Sequence, residues 1–464
     1  MVPFRLLLRA GAVAAAGSML VVSACESGER STFFAAPPDG DADVPANLPE
    51  SGPTPEIDAS TDGPAPDIDA SDEPVACEVS PCAVELAAGE AHFCARMSDG
   101  TVRCWGDDTA GALGRGDPSD EAETGGDAGA PADPGSPQPV AGLTGIVQIS
   151  AARRTTCAVD GAGIVRCWGS NANGQLGLAG APQLVDSARH ATPTPVTTTG
   201  VFARVDVGAR TACAISSAGE AICWGANEQQ QLARPDAGEL HGGPGPADLL
   251  GGAIVRAGAT PYTSFGLTAD GDLFSWGLAK GNASVSGRES SLAKDPTPAL
   301  IPSLRHVTSF AAGEKHACAI ANGAVWCWGG FWTLGEPPFT ALCTGLTDRE
   351  IRPAPAGMRS PPYPQQIAVG SMTTCARLTD GTIRCCGDDQ KGQLGTGKIG
   401  TVNASFAPAS AFDGYAVQVA VSASATCALL RSGAVQCWGG NNQGQLGRGG
   451  HDAGPHPVPA PVTF

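Results

Sequence analysis

The sequence predicts an all-β protein in which one module is repeated seven times and closed around a ring. Three observations predict it. A hairpin recurs in seven copies between about residue 83 and residue 464, six of them with paired cysteines and six followed by Trp-Gly. Amphipathic runs of helix length are scarce. Glycine and proline are abundant, 63 and 38 residues of 464, as a loop-rich β-protein requires. A repeat that cannot bury its own faces must stack on its neighbours. Strand-rich, glycine-rich units of this length suit propeller blades.

The clearest copy runs from Cys157 to Gly177, CAVDGAGIVRCWGSNANGQLG. Apolar and polar residues alternate on both sides of a Gly-containing turn, which predicts a hairpin. Cys157 and Cys167 fall at mirrored positions about that turn. Mirrored residues face each other in an antiparallel ladder, and a non-hydrogen-bonded pair lies within reach of a disulfide. The same pairs recur as Cys94/Cys104, Cys213/Cys223, Cys318/Cys327, Cys375/Cys385 and Cys427/Cys437. The fourth copy, Phe265 to Trp276, keeps the spacing and the Asp270-Gly271 turn but has lost both cysteines together, with Phe265 and Ser275 in their places. Joint loss is the behaviour of bonded partners. The copy one residue shorter, Cys318 to Cys327, has Asn322-Gly323 at its centre. A two-residue Asn-Gly loop favours a type I′ turn and keeps its pair in register.

The residue two before the second Cys is Val102, Val165, Ala221, Leu273, Val325, Ile383 or Val435, so the Cys-bearing face is expected to be packed. The residue directly before it is Arg103, Arg166, Ile222, Phe274, Trp326, Arg384 or Gln436, so the other face is expected to be less uniformly buried. Trp follows the second Cys at Trp105, Trp168, Trp224, Trp328 and Trp438. Core packing explains this set better than a stacking platform, because a buried Trp removes ~150–250 Å² from water. A polar loop then leads to Gly-Gln-Leu-Gly at 174–177, 392–395 and 444–447, and loosely at 111–114. Short strands ending in small residues precede the hairpins, as at 146–151 and 205–208. Small residues there let strands crowd near a ring axis.

Gly-Glu-Lys-His-Ala-Cys-Ala-Ile at 313–320, then Cys-Trp-Gly, together with the Gly-Gln-Leu-Gly element, resembles the regulator of chromosome condensation repeat. The resemblance implies a seven-bladed β-propeller over residues 77–464. The fourth copy lacks Gly-Gln-Leu-Gly, the fifth has only Thr333-Leu334-Gly335, and the sixth has Cys386 where Trp is expected.

Residues 1–25 read as a lipoprotein signal peptide. Arg5 and Arg9 precede an apolar run ending in Val22-Ser23-Ala24-Cys25, which resembles a bacterial lipobox with Cys25 as the lipidated residue. The run is too short and too early for a permanent span. Glu26, rather than Asp, follows the Cys, so outer-membrane sorting in the bacterial cell envelope is the expectation. Residues 26–76 are rich in Pro, Asp, Ala, Ser and Gly and cannot bury enough surface to offset ordering entropy. They read as a disordered acidic tether. Asp39, Asp41, Asp43 and Glu50 imitate calcium-loop spacing, but Val44 stands where the sharp turn needs glycine.

The formal charge is −18. The tether's thirteen acids and single Arg account for −12 of it. Nothing clusters Lys and Arg as phosphate binding requires, so nucleic acid is excluded as a partner. The resembled family's best-known member is a nuclear, chromatin-bound nucleotide exchange factor. A signal peptide and disulfides are inconsistent with that compartment, and the exchange activity is not carried over. Seventeen cysteines, many regularly paired, point to an oxidising compartment. Cys77 and Cys82 are close enough to staple the domain entrance. Cys343 and Cys386 remain, one in an inserted loop and one at a Trp position, and whether they pair is open. Zinc fits ten-residue mirrored spacing poorly, so no metal is expected.

No catalytic constellation is present: no Gly-x-Ser-x-Gly, no His-Glu-x-x-His, no phosphate loop. His92 and His316 share one repeat position, which Thr155, Thr211, Thr263 and Thr373 hold elsewhere. A hydrogen-bonding structural role explains that set better than a base. Asp99, Asp270 and Asp380 sit in turns, where Asp bonds local backbone. The linkers at 117–139, 178–195 and 330–364 vary in length and project from the faces, where binding resides. The expectation is a monomeric, non-enzymatic, cofactor-free lipoprotein whose propeller binds a protein or glycan as a scaffolding module. The alternatives are a secreted-type enzyme inhibitor, or an enzyme with a channel-mouth site assembled from several blades.

Overall fold

The computed structural model describes residues 73–116, 133–178, 185–249, 252–281, 283–332, 340–341, 343–346 and 350–464. The chain divides into two compact units, Met1–Thr61 and Asp62–Phe464, and all described residues belong to the second. The expected signal peptide with Cys25, the calcium-like acids at 39–50, Thr333-Leu334-Gly335 and most of the tether lie outside the described residues.

All the named elements of the second unit are β-strands. Twenty-eight of them form seven four-stranded antiparallel sheets, the blades of a β-propeller. Blade 1 covers 83–139, blade 2 146–195, blade 3 204–246, blade 4 254–300, blade 5 307–357, blade 6 364–408 and blade 7 416–461. Each blade is contiguous in sequence, so no strand is exchanged to close the ring. A two-stranded ribbon, Phe331–Trp332 with Thr340–Ala341, stands between the third and fourth strands of blade 5.

Within each blade the middle hairpin has one register. Cys94↔Cys104, Cys157↔Cys167, Cys213↔Cys223, Cys318↔Cys327, Cys375↔Cys385 and Cys427↔Cys437 are directly opposed and disulfide-bonded. Their Cα atoms are 4.1 Å apart, the short separation of a non-hydrogen-bonded pair. The short copy turns through Asn322 and Gly323, whose φ values of 49° and 69° are those of a type I′ loop. Phe265 opposes Ser275 in blade 4. There a buried arginine bonds the position of the second cysteine. Arg288 Nε donates to Ser275 Oγ at 3.1 Å, and its Nη1 pairs with Asp295 at 3.0 Å. Arg288 Nη2 also donates to Ser275 O at 2.9 Å, as Arg234 and Arg448 donate to the carbonyls of Cys223 and Cys437.

The outer strands carry prolines facing outward. Pro139, Pro195, Pro246, Pro355, Pro408 and Pro461 oppose the residue before the second Cys, and only blade 4 differs, with Leu300. The next residue donates inward in each case seen, as Val196 N does to Val165 O. A proline beside it removes the outward N–H and blunts the edge against pairing with another chain.

The blades join through two sets of bonds. In the first, the indole N–H after the second Cys donates to a backbone carbonyl of the preceding blade. Trp168 bonds Ala112 O at 2.8 Å, Trp224 bonds Gln175 O at 2.8 Å, Trp276 bonds Gln231 O at 2.8 Å, Trp328 bonds Val285 O at 2.8 Å and Trp438 bonds Gln393 O at 2.9 Å. Trp105 of blade 1 bonds Gln445 O of blade 7 at 3.0 Å and so closes the ring. Gly-Gln-Leu-Gly supplies the acceptor. Its last glycine is required by two constraints at Gly177: φ is +63°, and a Cβ would stand 3.0 Å from Trp224 Nε1. In blade 4, Ser284 to Gly287 takes this place without sequence likeness. In blade 3 it is Gln230-Gln231-Leu232-Ala233, whose outer residues hold left-handed φ of 61° and 50° without being glycine.

In the second set, an inner-strand side chain copies a ladder bond across the seam. Gln148 accepts from Val205 N at 2.9 Å and donates to Val205 O at 3.0 Å. Gln366 does the same to Val419 at 2.8 and 2.9 Å, and Gln418 to Leu86 at 2.8 Å both ways, across the 7/1 seam. Asp206 and Ser309 accept from Ala257 N and Ile367 N.

The last four residues of the expected tether, 73–76, are bonded to the propeller instead. Ala76 N donates to Arg431 O at 2.7 Å, and Glu73 pairs with Arg431 at 2.6 Å and accepts from Tyr415 OH at 2.9 Å. A carboxylate between Arg431 and the buried Arg377 has reason to stay. Cys77 and Cys82 are bonded just after, where the chain enters blade 1.

The ring-closing indole gives a direct test. Trp105→Phe keeps the ring but orphans the Gln445 carbonyl, and should cost about 1–3 kcal/mol. Trp105→Ala adds the cavity and should cost about 3–5 kcal/mol. Chemical denaturation midpoints at constant m-value measure both.

Candidate functional site

The hairpin cysteines lie in the blade interiors, buried against the neighbouring blade. The apolar residues two before the second Cys are all buried, between 0% and 4% exposed. The residues directly before that Cys are all half-buried. Cys343 and Cys386 are bonded to each other, which the sequence left open.

His92 and His316 are buried between blades, at seams 1/2 and 5/6. Their Nε2 atoms meet Thr156 Oγ1 at 2.8 Å and Thr374 Oγ1 at 2.6 Å. Thr156 Oγ1 donates onward to Ala112 O at 3.1 Å, so it accepts from His92, whose proton sits on Nε2. Nδ1 of each ring is buried without a partner. Burial pushes both imidazoles down to about 4. Neutral, tied down and out of reach of solvent, they are structural groups.

The ring axis is lined by the small residues that end the inner strands, among them Ala88, Ala151, Gly208, Ala312, Gly370 and Ser422. The void there is only about 120 Å³. One end is crossed by an ion pair. Arg153, held at a left-handed φ of 48°, reaches from blade 2 to Glu314 of blade 5, with Nε to Oε1 at 2.9 Å. Ser371 Oγ donates to the other oxygen of Glu314 at 3.2 Å.

A recess lies at the rim between blades 3 and 4, a cleft of about 710 Å³. Pro235, Leu240 and Pro296 give it apolar walls, and Arg234, Glu239 and Lys294 give it charge. Leu240 is 64% exposed. Lys294 Nζ donates to Glu228 O at 2.6 Å across the seam. This is the junction where Gln230 and Ala233 hold positions that are glycine in blades 1, 2, 6 and 7, and both line the cleft. A non-glycine residue at such φ costs about 1–2 kcal/mol. The departure from the repeat, the strain and the space coincide. Among the described residues, no group of three or more His, Cys, Asp or Glu is placed to hold a metal ion.

Comparisons with known proteins agree with this geometry. The models named "Regulator of chromosome condensation (RCC1) repeat" match residues 83–112, 146–175, 365–393 and 416–445, and residues 99–159. The chain carries regulator of chromosome condensation repeats. The ultraviolet-B receptor UVR8 of Arabidopsis thaliana is 26% identical over 374 residues, 78% of each chain. The human E3 ubiquitin-protein ligase HERC2 is 26% identical over 324 residues, 65% of this chain but only 6% of that protein. Among solved structures, yeast RCC1 (Prp20) bound to Kap60 superposes with a TM-score of 0.61 at 18% identity, covering 83% of this chain and 86% of that one. Prp20p of Saccharomyces cerevisiae, with binding properties to Gsp1p and histones, gives 0.56 at 22% identity over 73% and 80%. These superpositions establish the propeller fold.

Three features of these repeats escaped sequence reading. The seam-spanning glutamines had a signal: Gln148, Gln366 and Gln418 each stand nine residues before the first Cys. The arginine after the Gly-Gln-Leu-Gly position recurs at 115, 234, 288 and 448. The cleft had none, because its two walls come from different blades.

The histidines set a pH dependence. Their folded values of about 4 lie below the ordinary 6.5, so the unfolded chain binds more protons between those values. Stability is therefore full above pH 6.5 and falls as pH drops through that window, by on the order of 3 kcal/mol per histidine. His92→Thr with His316→Thr, the residue used in other blades, should flatten the profile of denaturation midpoint against pH between 6.5 and 4.

Proposed function

We propose that this chain is an envelope-anchored lipoprotein presenting its propeller as a module that binds a protein or glycan. The observation that carries the reading is the contrast between the axis and the rim. The axis is a narrow channel lined by Ala and Gly and barred by Arg153 and Glu314. The rim between blades 3 and 4 offers a cleft of about 710 Å³ with mixed walls. A scaffold that rigid supports recognition on its exposed loops. The relatives named above include a receptor and a protein that binds Gsp1p and histones, which favours binding over catalysis here. The narrow channel counts against an enzyme site at its mouth. Lipid on Cys25 would hold the molecule at the membrane, and the acidic stretch that follows would keep the propeller away from it.

Two experiments test this. Residues 73–464 should capture a specific partner from intact envelopes, and Leu240→Asp with Lys294→Glu should reduce capture at least tenfold. Capture unchanged by those substitutions would move the site elsewhere. Membrane flotation should lose the protein when Cys25 is replaced by Ser, and a Cys25→Ser protein that still floats would refute the lipid anchor.

A further inference from the structure

Six of the seven seams close through a tryptophan, and the 5/6 seam does not. Cys386 occupies the tryptophan position of blade 6, opposite Thr374 as Trp105 is opposite Phe93. Its sulfur is bonded to Cys343. Cys343 belongs to the segment between the third and fourth strands of blade 5. In the other blades that same segment supplies the carbonyl that the tryptophan reaches. Seven of the eight disulfides join residues no more than ten apart, six within one hairpin and one at the entrance, while this one spans 43. Among the described residues it is the one covalent bond between blades.

The surroundings are built around it. Cys343 and Cys386 are 1% and 0% exposed. Cys343 holds a left-handed φ of 67°, a conformation that a non-glycine residue adopts only when its surroundings impose it. The following residue, Thr344, bridges to Ser405 in the outer strand of blade 6. Among the described residues, the inner strands of this seam show one bond, Ile367 N to Ser309 Oγ at 3.3 Å, and the middle strands add His316 Nε2 with Thr374 Oγ1 at 2.6 Å. Seams 2/3, 6/7 and 7/1 have a paired glutamine rung there.

We propose that the Cys343–Cys386 bond is a covalent latch that substitutes for the tryptophan contact, so that the 5/6 seam, unlike those closed by an indole, loosens on reduction. Closure is thiol–disulfide exchange with a small disulfide such as oxidised glutathione. One cysteine thiolate attacks a glutathione sulfur, forming a mixed disulfide and releasing one glutathione thiolate. The other cysteine thiolate attacks the mixed disulfide and displaces the second glutathione. Two electrons pass to glutathione, and the protons lost by the two cysteines end on the two released thiols. The other seams need no such step, because an indole N–H and a carbonyl bond in either redox state.

Hydrogen exchange on the full chain separates this from a general stabilising role. In Cys343→Ser with Cys386→Ser, amide protection across Val307–Ala312 and Pro364–Val369 should fall at least tenfold, while blades 1 and 2 keep theirs. Cys94→Ser with Cys104→Ser should leave the 5/6 strands protected. If the first variant does not fold, graded reduction of the unmodified protein with alkylation of freed thiols replaces it. Loss of 5/6 protection should then track labelling of Cys343 and Cys386 rather than of Cys94 and Cys104. Equal loss at every seam, or retained 5/6 protection with both thiols labelled, would overturn the proposal.

Discussion

The hydrogen bond between an indole N–H and a carbonyl one blade away is the contact on which this molecule depends. A blade alone is a four-stranded sheet with two faces to cover. The tryptophan covers one face of the loop before it and bonds its carbonyl, which a Ser or Thr hydroxyl shares at Ala112, Gln231 and Gln393; an unpaired buried carbonyl costs about 1–3 kcal/mol. Because blades exchange no strands, no backbone ladder runs from one blade to the next, and side-chain bonds such as this one and the glutamine rungs set the angle between them. Trp105 matters most in this respect, since its partner is 340 positions away.

The disulfides solve a different problem. Six of them lie inside single hairpins, so they restrain local turns and leave the seams untouched. The glutamine rungs and indole bonds do the joining. Blade 4 shows how the two jobs separate. It has lost its hairpin cross-link but keeps the repeat's arginine, Arg288, paired with Asp295, and Trp276 still closes onto blade 3. Its seam with blade 3 also carries a cleft of about 710 Å³, where backbone positions occupied by glycine in blades 1, 2, 6 and 7 have gained side chains.

A closed ring of this kind leaves few ways to place chemistry. Small residues crowd the axis and leave little room for a ligand. The outer edges are blunted by proline, which favours recognition by loops and clefts over strand addition. The buried histidines add a constraint rather than a site, because each is neutral and committed to a threonine of the next blade.

Much of the fold was legible in the chain itself, because its signals are local. Mirrored cysteines, the Asn322-Gly323 turn and the apolar residue two before the second Cys each report on a hairpin, and a hairpin is decided by residues within a dozen positions. Loss of both cysteines from one copy even identified the opposed pair Phe265 and Ser275. The partner of Cys343, the rungs from Gln148 and Gln418, the bar across the axis from Arg153 to Glu314, and the cleft beside Leu240 were decided only by tertiary structure. Each joins residues from different blades, and their proximity follows from the angle at which sheets pack, which no stretch of sequence encodes by itself.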